Sequence, residues 1–221
     1  MLTFKINRLF ISLLSIAIFI SGVLAILFRT RSNLKLYAVF KPLTTVLIII
    51  LALFVHLKLS GSYQLFVLIA LVFALIGDIF LLRKKWFLYG IIAFSLAHLC
   101  FTAAFVSLYG FSLSLLPLII LLIFGLLIYI FLKNDLHKYA IPVAFYILII
   151  ILMVWQAVGL LYQSEAPVFW ALGGAAILFL FSDFVIAYNK FKQSFEAAEP
   201  LILSTYWTAV YVFALAGTYI S

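Results

Sequence analysis

Long apolar runs separated by short polar gaps dominate this 221-residue sequence. A membrane-spanning helix needs about 20 mostly apolar residues, whereas a membrane strand needs about ten residues of alternating polarity. The runs match the first length and show no alternation, so they predict helices. We predict eight spans, at Leu9–Phe28, Tyr37–Leu57, Gln64–Leu82, Phe87–Tyr109, Leu115–Leu132, Ala140–Tyr162, Pro167–Tyr188 and Pro200–Tyr219. The predicted fold is an all-α polytopic membrane protein, with residues 1–221 forming a single membrane domain.

Composition excludes a soluble domain. Hydrophobic residues make up 69% of the chain and charged residues 9%, with a mean hydropathy of +1.37. A soluble domain is about half apolar and about a quarter charged. The single cysteine, Cys100, also excludes an intrachain disulfide and any multi-cysteine metal site.

The positions of the basic residues predict the orientation in the membrane. A net charge of +8 would indicate nucleic-acid binding in a soluble domain, but here the basic residues lie almost wholly in the gaps. One side of the predicted membrane carries Arg29, Arg31, Lys35, Arg83, Lys84, Lys85, Lys133, Lys138, Lys190 and Lys192, and the other carries only Lys5, Arg8 and Lys58. The side with more basic residues should be cytoplasmic, which places both termini outside. Because the basic residues are explained by this topology, we expect no nucleic-acid partner. Short loops and the lack of a targeting signal suggest a bacterial inner membrane.

The chain also shows a weak internal duplication. The segment around Asp78 in the third span parallels the segment around Asp183 in the seventh. Tyr37-Ala38 lies ahead of Pro42 as Tyr139-Ala140 lies ahead of Pro142, at a similar offset. These offsets predict two parallel four-helix repeats, at residues 1–110 and 111–221.

Two aspartates inside apolar runs are the main candidates for function. A charged side chain at the centre of a membrane helix costs about 2.5–3.5 kcal/mol on insertion scales. Nevertheless, Asp78 and Asp183 each lie about one turn before the predicted cytoplasmic end of a helix. Lys41 and Tyr206 lie at a similar predicted depth. These four residues predict a polar site near the cytoplasmic leaflet.

A buried ion pair and an acid catalyst both fit this pattern. Lys41 could pair with one aspartate and hold helices together, but the second aspartate would remain. Desolvation and mutual repulsion would then leave one protonated acid beside one carboxylate, a pairing that suits acid-catalysed hydrolysis. His98 fits either a place in the same cavity or a hydrogen bond to a backbone carbonyl. Three scattered histidines make a poor metal site.

At these residues the chain resembles the YhhN-like family of membrane lysoplasmalogenases. The matching motifs, spread over nearly the whole chain, are Lys41-Pro42, Gly77-Asp78, Gly90 with Phe94, Ala97 and His98, Ser182-Asp183 with Ala187 and Asn189, and Tyr206. Two positions depart from the pattern: Phe101 stands where the family favours tyrosine, and Val210 where glutamine is frequent. These departures concern fine substrate contacts more than the core of the site.

The resemblance implies hydrolysis of the vinyl-ether bond of a lysoplasmalogen, giving a fatty aldehyde and a glycerophospho-alcohol. The family's two aspartates correspond to Asp78 and Asp183, of which one would protonate the vinyl ether while the other stabilises the cation and activates water. Replacing either by asparagine should then abolish turnover. Lys41 would hold the lipid phosphate, and the polar lining would comprise His98, Ser182, Asn189 and Tyr206. No metal or organic cofactor is expected, and the partners are a lysophospholipid and the bilayer.

Other classes of function remain open on the sequence. Intramembrane acids in parallel repeats also suit a proton-coupled transporter of small molecules or lipids, although carriers usually bind near the midplane. Gly77-Asp78 resembles half the signature of an intramembrane aspartyl protease, whose other parts are missing. A structural scaffold would not explain two intramembrane acids.

Overall fold

The computed structural model describes the backbone of residues 2–59 and 61–220 and the side chains of residues 8–58 and 61–220. The side chain of Lys5, used above for orientation, lies outside this set. The α-helices of the described chain are α1 Leu2–Thr30, α2 Leu34–Leu59, α3 Ser62–Leu81, α4 Phe87–Tyr109, α5 Leu115–Leu136, α6 Ala140–Gly159, α7 Pro167–Phe191 and α8 Ala198–Ile220. The described residues contain no strand, and the all-α prediction is confirmed.

Seven stretches of the described chain are long and apolar enough to cross a membrane. One of them, Leu115–Tyr162, has 48 residues and includes both α5 and α6. A straight helix of that length would be about 72 Å long, more than twice the roughly 30 Å hydrocarbon core. The chain instead turns at His137, whose φ is 44°, and Gly125 of α5 lies against Ile147 and Ile151 of α6.

Several helices extend beyond the predicted apolar runs. α5 continues to Leu136 and α7 to Phe191, because polar residues in the headgroup region are compatible with intrahelical hydrogen bonds. Asp183 therefore lies about two turns before the end of its helix, whereas Asp78 lies about one turn before the end of α3. At the opposite side α4 ends at Tyr109 and is followed by Gly110, whose φ of 84° suits a residue without a Cβ.

Six helices form a closed ring. α2 packs on α3, α3 on α4, α4 on α6, α6 on α7, α7 on α8, and α8 returns to α2. α1 packs outside the ring, mainly on α2, and α5 packs outside it, mainly on α6. The same order of packing therefore occurs in both halves of the chain, with α3 and α7 at corresponding places.

Aromatic side chains occupy the centre of the ring. Phe101, Phe105, Phe179 and Phe213 are fully buried, and Phe213 contacts the rings of Phe101 and Phe105 with centroids 4.9 and 5.2 Å apart. Outside the ring, most side chains of α5 are exposed to the surroundings, as expected for a helix that faces lipid.

Candidate functional site

Asp78 lies in a network of hydrogen bonds and charge at the junction of α2, α3 and α8. Its Oδ2 accepts hydrogen bonds from the hydroxyls of Thr45 at 2.7 Å and Tyr206 at 3.0 Å. Its Oδ1 lies 3.9 Å from Nζ of Lys41. Trp207 extends the network by donating from Nε1 to the Thr45 hydroxyl at 3.2 Å. The carboxylate is 1% exposed, so these partners replace the water that it loses on burial.

Lys41 connects this network to a second carboxylate. Its Nζ also lies 3.9 Å from Oε1 of Glu199, in the first turn of α8. Glu199 accepts a hydrogen bond from the Tyr37 hydroxyl, and its Oε2 lies 3.9 Å from Nε of Arg29. Lys41 therefore shares its charge between a buried aspartate and a half-buried glutamate.

Asp183 has different surroundings. Its Oδ2 accepts a hydrogen bond from the Tyr146 hydroxyl of α6 at 2.7 Å. Nε2 of His98, on α4, lies 3.4 Å from the same oxygen. His98 is fully buried, and neither ring nitrogen meets hydrogen-bond geometry with a described residue.

Aromatic rings separate the two aspartates. Tyr206, which bonds Asp78, contacts the ring of Phe179 with centroids 5.3 Å apart. Phe179 in turn contacts the ring of His98 at 4.7 Å. Among the described side chains, no hydrogen bond joins the two carboxylates directly, but Tyr206 lies close enough to interact electrostatically with both of them.

A polar cavity of about 810 Å³ opens beside the first network. Arg29, Lys41 and Glu199 line it, together with Arg83, Lys84, Asn189, Lys190 and Glu196. The lining contains five basic and two acidic side chains. The cavity therefore suits a group that carries negative charge.

A narrow apolar groove of about 70 Å³ lies between α4, α5, α6 and α7. Its lining consists of apolar side chains and glycine, apart from the carboxyl group of Asp183 and the phenol of Tyr146. The groove reaches the exposed ring of Phe124 on α5. Leu81, Phe87 and Ile186 line both this groove and the polar cavity, so the two spaces adjoin.

The other sequence-predicted residues lie in different surroundings. Ser182 is fully buried and donates its hydroxyl to the Ile202 carbonyl at 3.1 Å, which ties α7 to α8. Asn189 lines the polar cavity, and its Oδ1 accepts a hydrogen bond from the Phe195 amide at 3.2 Å. The structure thus groups Lys41 and Tyr206 with Asp78, and His98 with Asp183.

Sequence reasoning missed Thr45, Tyr146 and Glu199. Thr45 of α2 bonds Asp78 and Tyr146 of α6 bonds Asp183, so the donors occupy corresponding helices of the two halves. The offset between them is close to that between the aspartates, so the predicted duplication offered a signal for Tyr146. Glu199 lay in a polar gap just before Pro200, where an acidic residue carries no signal by itself. Among the described side chains, no three His, Cys, Asp or Glu residues are grouped closely enough to hold a metal ion.

Comparison with known proteins gives the family. The YhhN family model matches residues 36–217. This chain belongs to the YhhN family. The match includes α3, α7 and the residues that line both cavities from Lys41 onward.

The relatives of this YhhN-family protein include bacterial and mammalian proteins. It is 33% identical over 171 residues to membrane protein YhhN of Escherichia coli O6:H1, covering 76% of this chain and 81% of the relative. It is 34% identical over 161 residues to human lysoplasmalogenase TMEM86B, covering 72% of this chain and 66% of the relative. The bovine lysoplasmalogenase TMEM86A is 33% identical over 158 residues, covering 68% of this chain and 64% of the relative. No solved structure is significantly similar to the chain.

Proposed function

We propose that this protein is a membrane lysoplasmalogenase that hydrolyses the vinyl-ether bond of a lysoplasmalogen or a related lysolipid. The mammalian relatives bear the name of this activity. The single structural observation that supports it best is an apolar groove, with Asp183 in its wall, that adjoins a basic polar cavity. A lysolipid has the same division into one apolar chain and one charged headgroup.

In this proposal the headgroup occupies the polar cavity, where Arg29 and Lys41 face its phosphate. The first part of the alkenyl chain enters the groove, which is large enough for a short segment only, and the rest remains in lipid beyond Phe124. The vinyl ether, at the junction of headgroup and chain, then lies near the shared wall and within reach of Asp183. Asp183 provides the carboxyl group nearest the vinyl ether for acid-catalysed hydrolysis, and Asp78 holds Lys41 beside the headgroup.

The proposed arrangement in the membrane has eight crossings. The reversal between α5 and α6 supports two crossings within the 48-residue stretch. The common packing order of the two halves supports the repeat. The basic side chains around the polar cavity support a cytoplasmic location for it, with both termini outside and an inner-membrane setting.

The test is release of long-chain aldehyde by purified protein in detergent. In D₂O, the aldehyde should carry one deuterium on the carbon next to the carbonyl, because that carbon receives the proton. Asp183→Asn should lower the rate by about 10²- to 10⁴-fold, the usual contribution of a general acid. Asp78→Asn should also lower it at low lipid concentration. Asp135→Asn, which alters an exposed carboxylate paired with Lys192, is the matched control and should keep full activity.

Two results would contradict the proposal. A saturated alkyl-ether lysolipid should remain intact, since it has no vinyl carbon to protonate; its cleavage would indicate different chemistry. Protein that moves lipid or small molecules across vesicle membranes but releases no aldehyde would support the transporter alternative.

A further inference from the structure

The two aspartates differ in the charge of their partners. Asp78 combines two hydroxyl donors with the ammonium of Lys41. Asp183 receives one phenolic hydrogen bond, from Tyr146, and has His98 Nε2 at 3.4 Å. Among the described side chains, no lysine or arginine forms an ion pair with Asp183. Asp78 therefore has a cationic partner, whereas the partners of Asp183 are an uncharged phenol and a titratable imidazole.

This difference sets the form in which each group is stable. An ionised carboxylate in apolar surroundings is costly unless it is both paired and hydrogen-bonded. Asp78 meets both conditions, whereas Asp183 lines an apolar groove with a single hydrogen bond. The ionised form suits Asp78, and the neutral acid suits Asp183.

The two oxygens of Asp183 are also unequal. The Tyr146 hydroxyl and His98 Nε2 both approach Oδ2, and no described side chain bonds Oδ1. Oδ1 is therefore the oxygen that can carry a transferable proton, while Oδ2 faces the groups able to stabilise a negative charge.

We propose that Asp183 is the acid that protonates the substrate. His98 and Tyr146 position the Asp183 carboxyl group and stabilise its carboxylate. Asp78 remains ionised and holds Lys41 and Tyr206. This assignment rests on the proposed function. The O–H bond at Oδ1 breaks and a C–H bond forms at the vinyl carbon remote from oxygen, giving an oxocarbenium ion. Water adds to the carbon next to oxygen and returns a proton to Asp183. The resulting hemiacetal separates into aldehyde and alcohol as its hydroxyl proton moves to the departing oxygen.

The role of His98 explains an otherwise unfavourable feature. Neither ring nitrogen of this fully buried imidazole meets strict hydrogen-bond geometry, although the Phe94 carbonyl lies within interacting range, whereas buried polar atoms normally have well-aligned partners. In this proposal His98 carries its hydrogen on Nε2, where it gains a charged acceptor only when Asp183 loses its proton. Alignment of the ring into a hydrogen bond across the 3.4 Å separation then favours the transition state over the resting state.

The test separates binding from turnover. The probe is a saturated 1-O-alkyl lysophosphatidylethanolamine, which has the shape of the substrate but no vinyl carbon; its Kd is measured beside kcat for the vinyl-ether lipid. Asp183→Asn should bind the probe within about threefold of wild type and lose at least about 100-fold in kcat. Asp78→Asn should weaken probe binding, because it releases Lys41, yet keep a kcat at least about tenfold above that of Asp183→Asn.

Substitution of the positioning residues should change kcat but not the Kd of the probe. His98→Gln and Tyr146→Phe should each lower kcat by about tenfold or more with little change in probe Kd. Combined with Asp183→Asn, neither should lower kcat further, because both act through that carboxyl group. His56→Gln alters a membrane-helix histidine near the far end of α2 and should leave both quantities unchanged. If His98→Gln fails to fold, His98→Asn serves instead, with probe binding as the check of folding.

Each outcome supports or overturns the assignment. The roles of the two aspartates would be reversed if Asp78→Asn lost kcat with intact probe binding while Asp183→Asn kept normal turnover. Equal loss of kcat with intact binding in both would refute the division of roles but keep the proposed function. Further loss on adding His98→Gln to Asp183→Asn would remove His98 from the mechanism. Wild-type protein that binds the probe but releases no aldehyde would refute the proposed function, and this assignment with it.

Discussion

Replacing Gly77 by alanine tests the packing that holds Asp78 in place. Gly77 precedes Asp78 on α3, and an added Cβ would lie 2.6 Å from Cδ2 and Cε2 of Phe94. Cβ atoms essentially never approach other heavy atoms closer than 3.0 Å. The Phe94 ring is itself held against Phe179 and Tyr206, with centroids 6.4 and 5.8 Å away, so its displacement would disturb the hydroxyl that bonds Asp78.

The expected size follows from known overpacking effects. Forcing an extra methyl group into a well-packed core costs about 1–3 kcal/mol. For a chain of this length, about 1 kcal/mol lowers the Tm by about 2–4 °C. Gly77→Ala should therefore lower the Tm by about 2–12 °C, with a fall in activity because Tyr206 is displaced.

The assay is thermal unfolding in detergent followed by intrinsic tryptophan fluorescence, with aldehyde release measured on the same samples. Gly174→Ala is the matched control, since no heavy atom lies within 4 Å of its added Cβ; it should be neutral or slightly stabilising through its higher helix propensity. Adding Phe94→Leu to Gly77→Ala should recover part of the loss by making room. If Gly77→Ala unfolds at the same temperature as Gly174→Ala, the close packing of α3 on α4 is not as described.

Two further replacements test polar contacts at opposite ends of the bundle. Lys41→Met should destabilise the protein by about 3–5 kcal/mol, because it leaves the buried Asp78 carboxylate without its cation. Unfolding in a denaturing detergent measures this loss. Adding Asp78→Asn should restore part of the stability, whereas a further, additive loss would contradict the ion pair. Gln64→Leu removes hydrogen bonds from Nε2 to the carbonyls of Ala52 and Ala214 and should cost about 0.5–2 kcal/mol while leaving kcat unchanged. A lower kcat at full folding would link this distant cluster to the site.

The positions of the helices could be predicted from sequence because lipid imposes a simple length requirement. Apolar runs of sufficient length marked every membrane-compatible stretch, and the intramembrane charges marked Asp78 and Asp183 as candidate site residues. α5 and α7 run past the ends of their predicted spans, because polar residues such as Lys133 and Lys190 continue the helix outside the hydrocarbon.

The partners of each aspartate could not be predicted from sequence. In a soluble helix the apolar face indicates which side is buried, but here the lipid-facing and core-facing sides are both apolar, so the pattern does not specify rotation about the helix axis. Thr45 and Tyr146 therefore looked like ordinary polar residues in membrane helices. Only the packing of α2 on α3 and of α6 on α7 shows that each one bonds an aspartate.

The wall formed by Leu81, Phe87 and Ile186 has a consequence for how the reaction would end. The groove on one side of it leads towards hydrocarbon, and the cavity on the other side is polar. Scission at that boundary would place each fragment in the medium that dissolves it: the aldehyde among acyl tails, the phosphoalcohol in water. Departure into two immiscible phases disfavours recombination, so the partition of the fragments itself would drive the cycle forward.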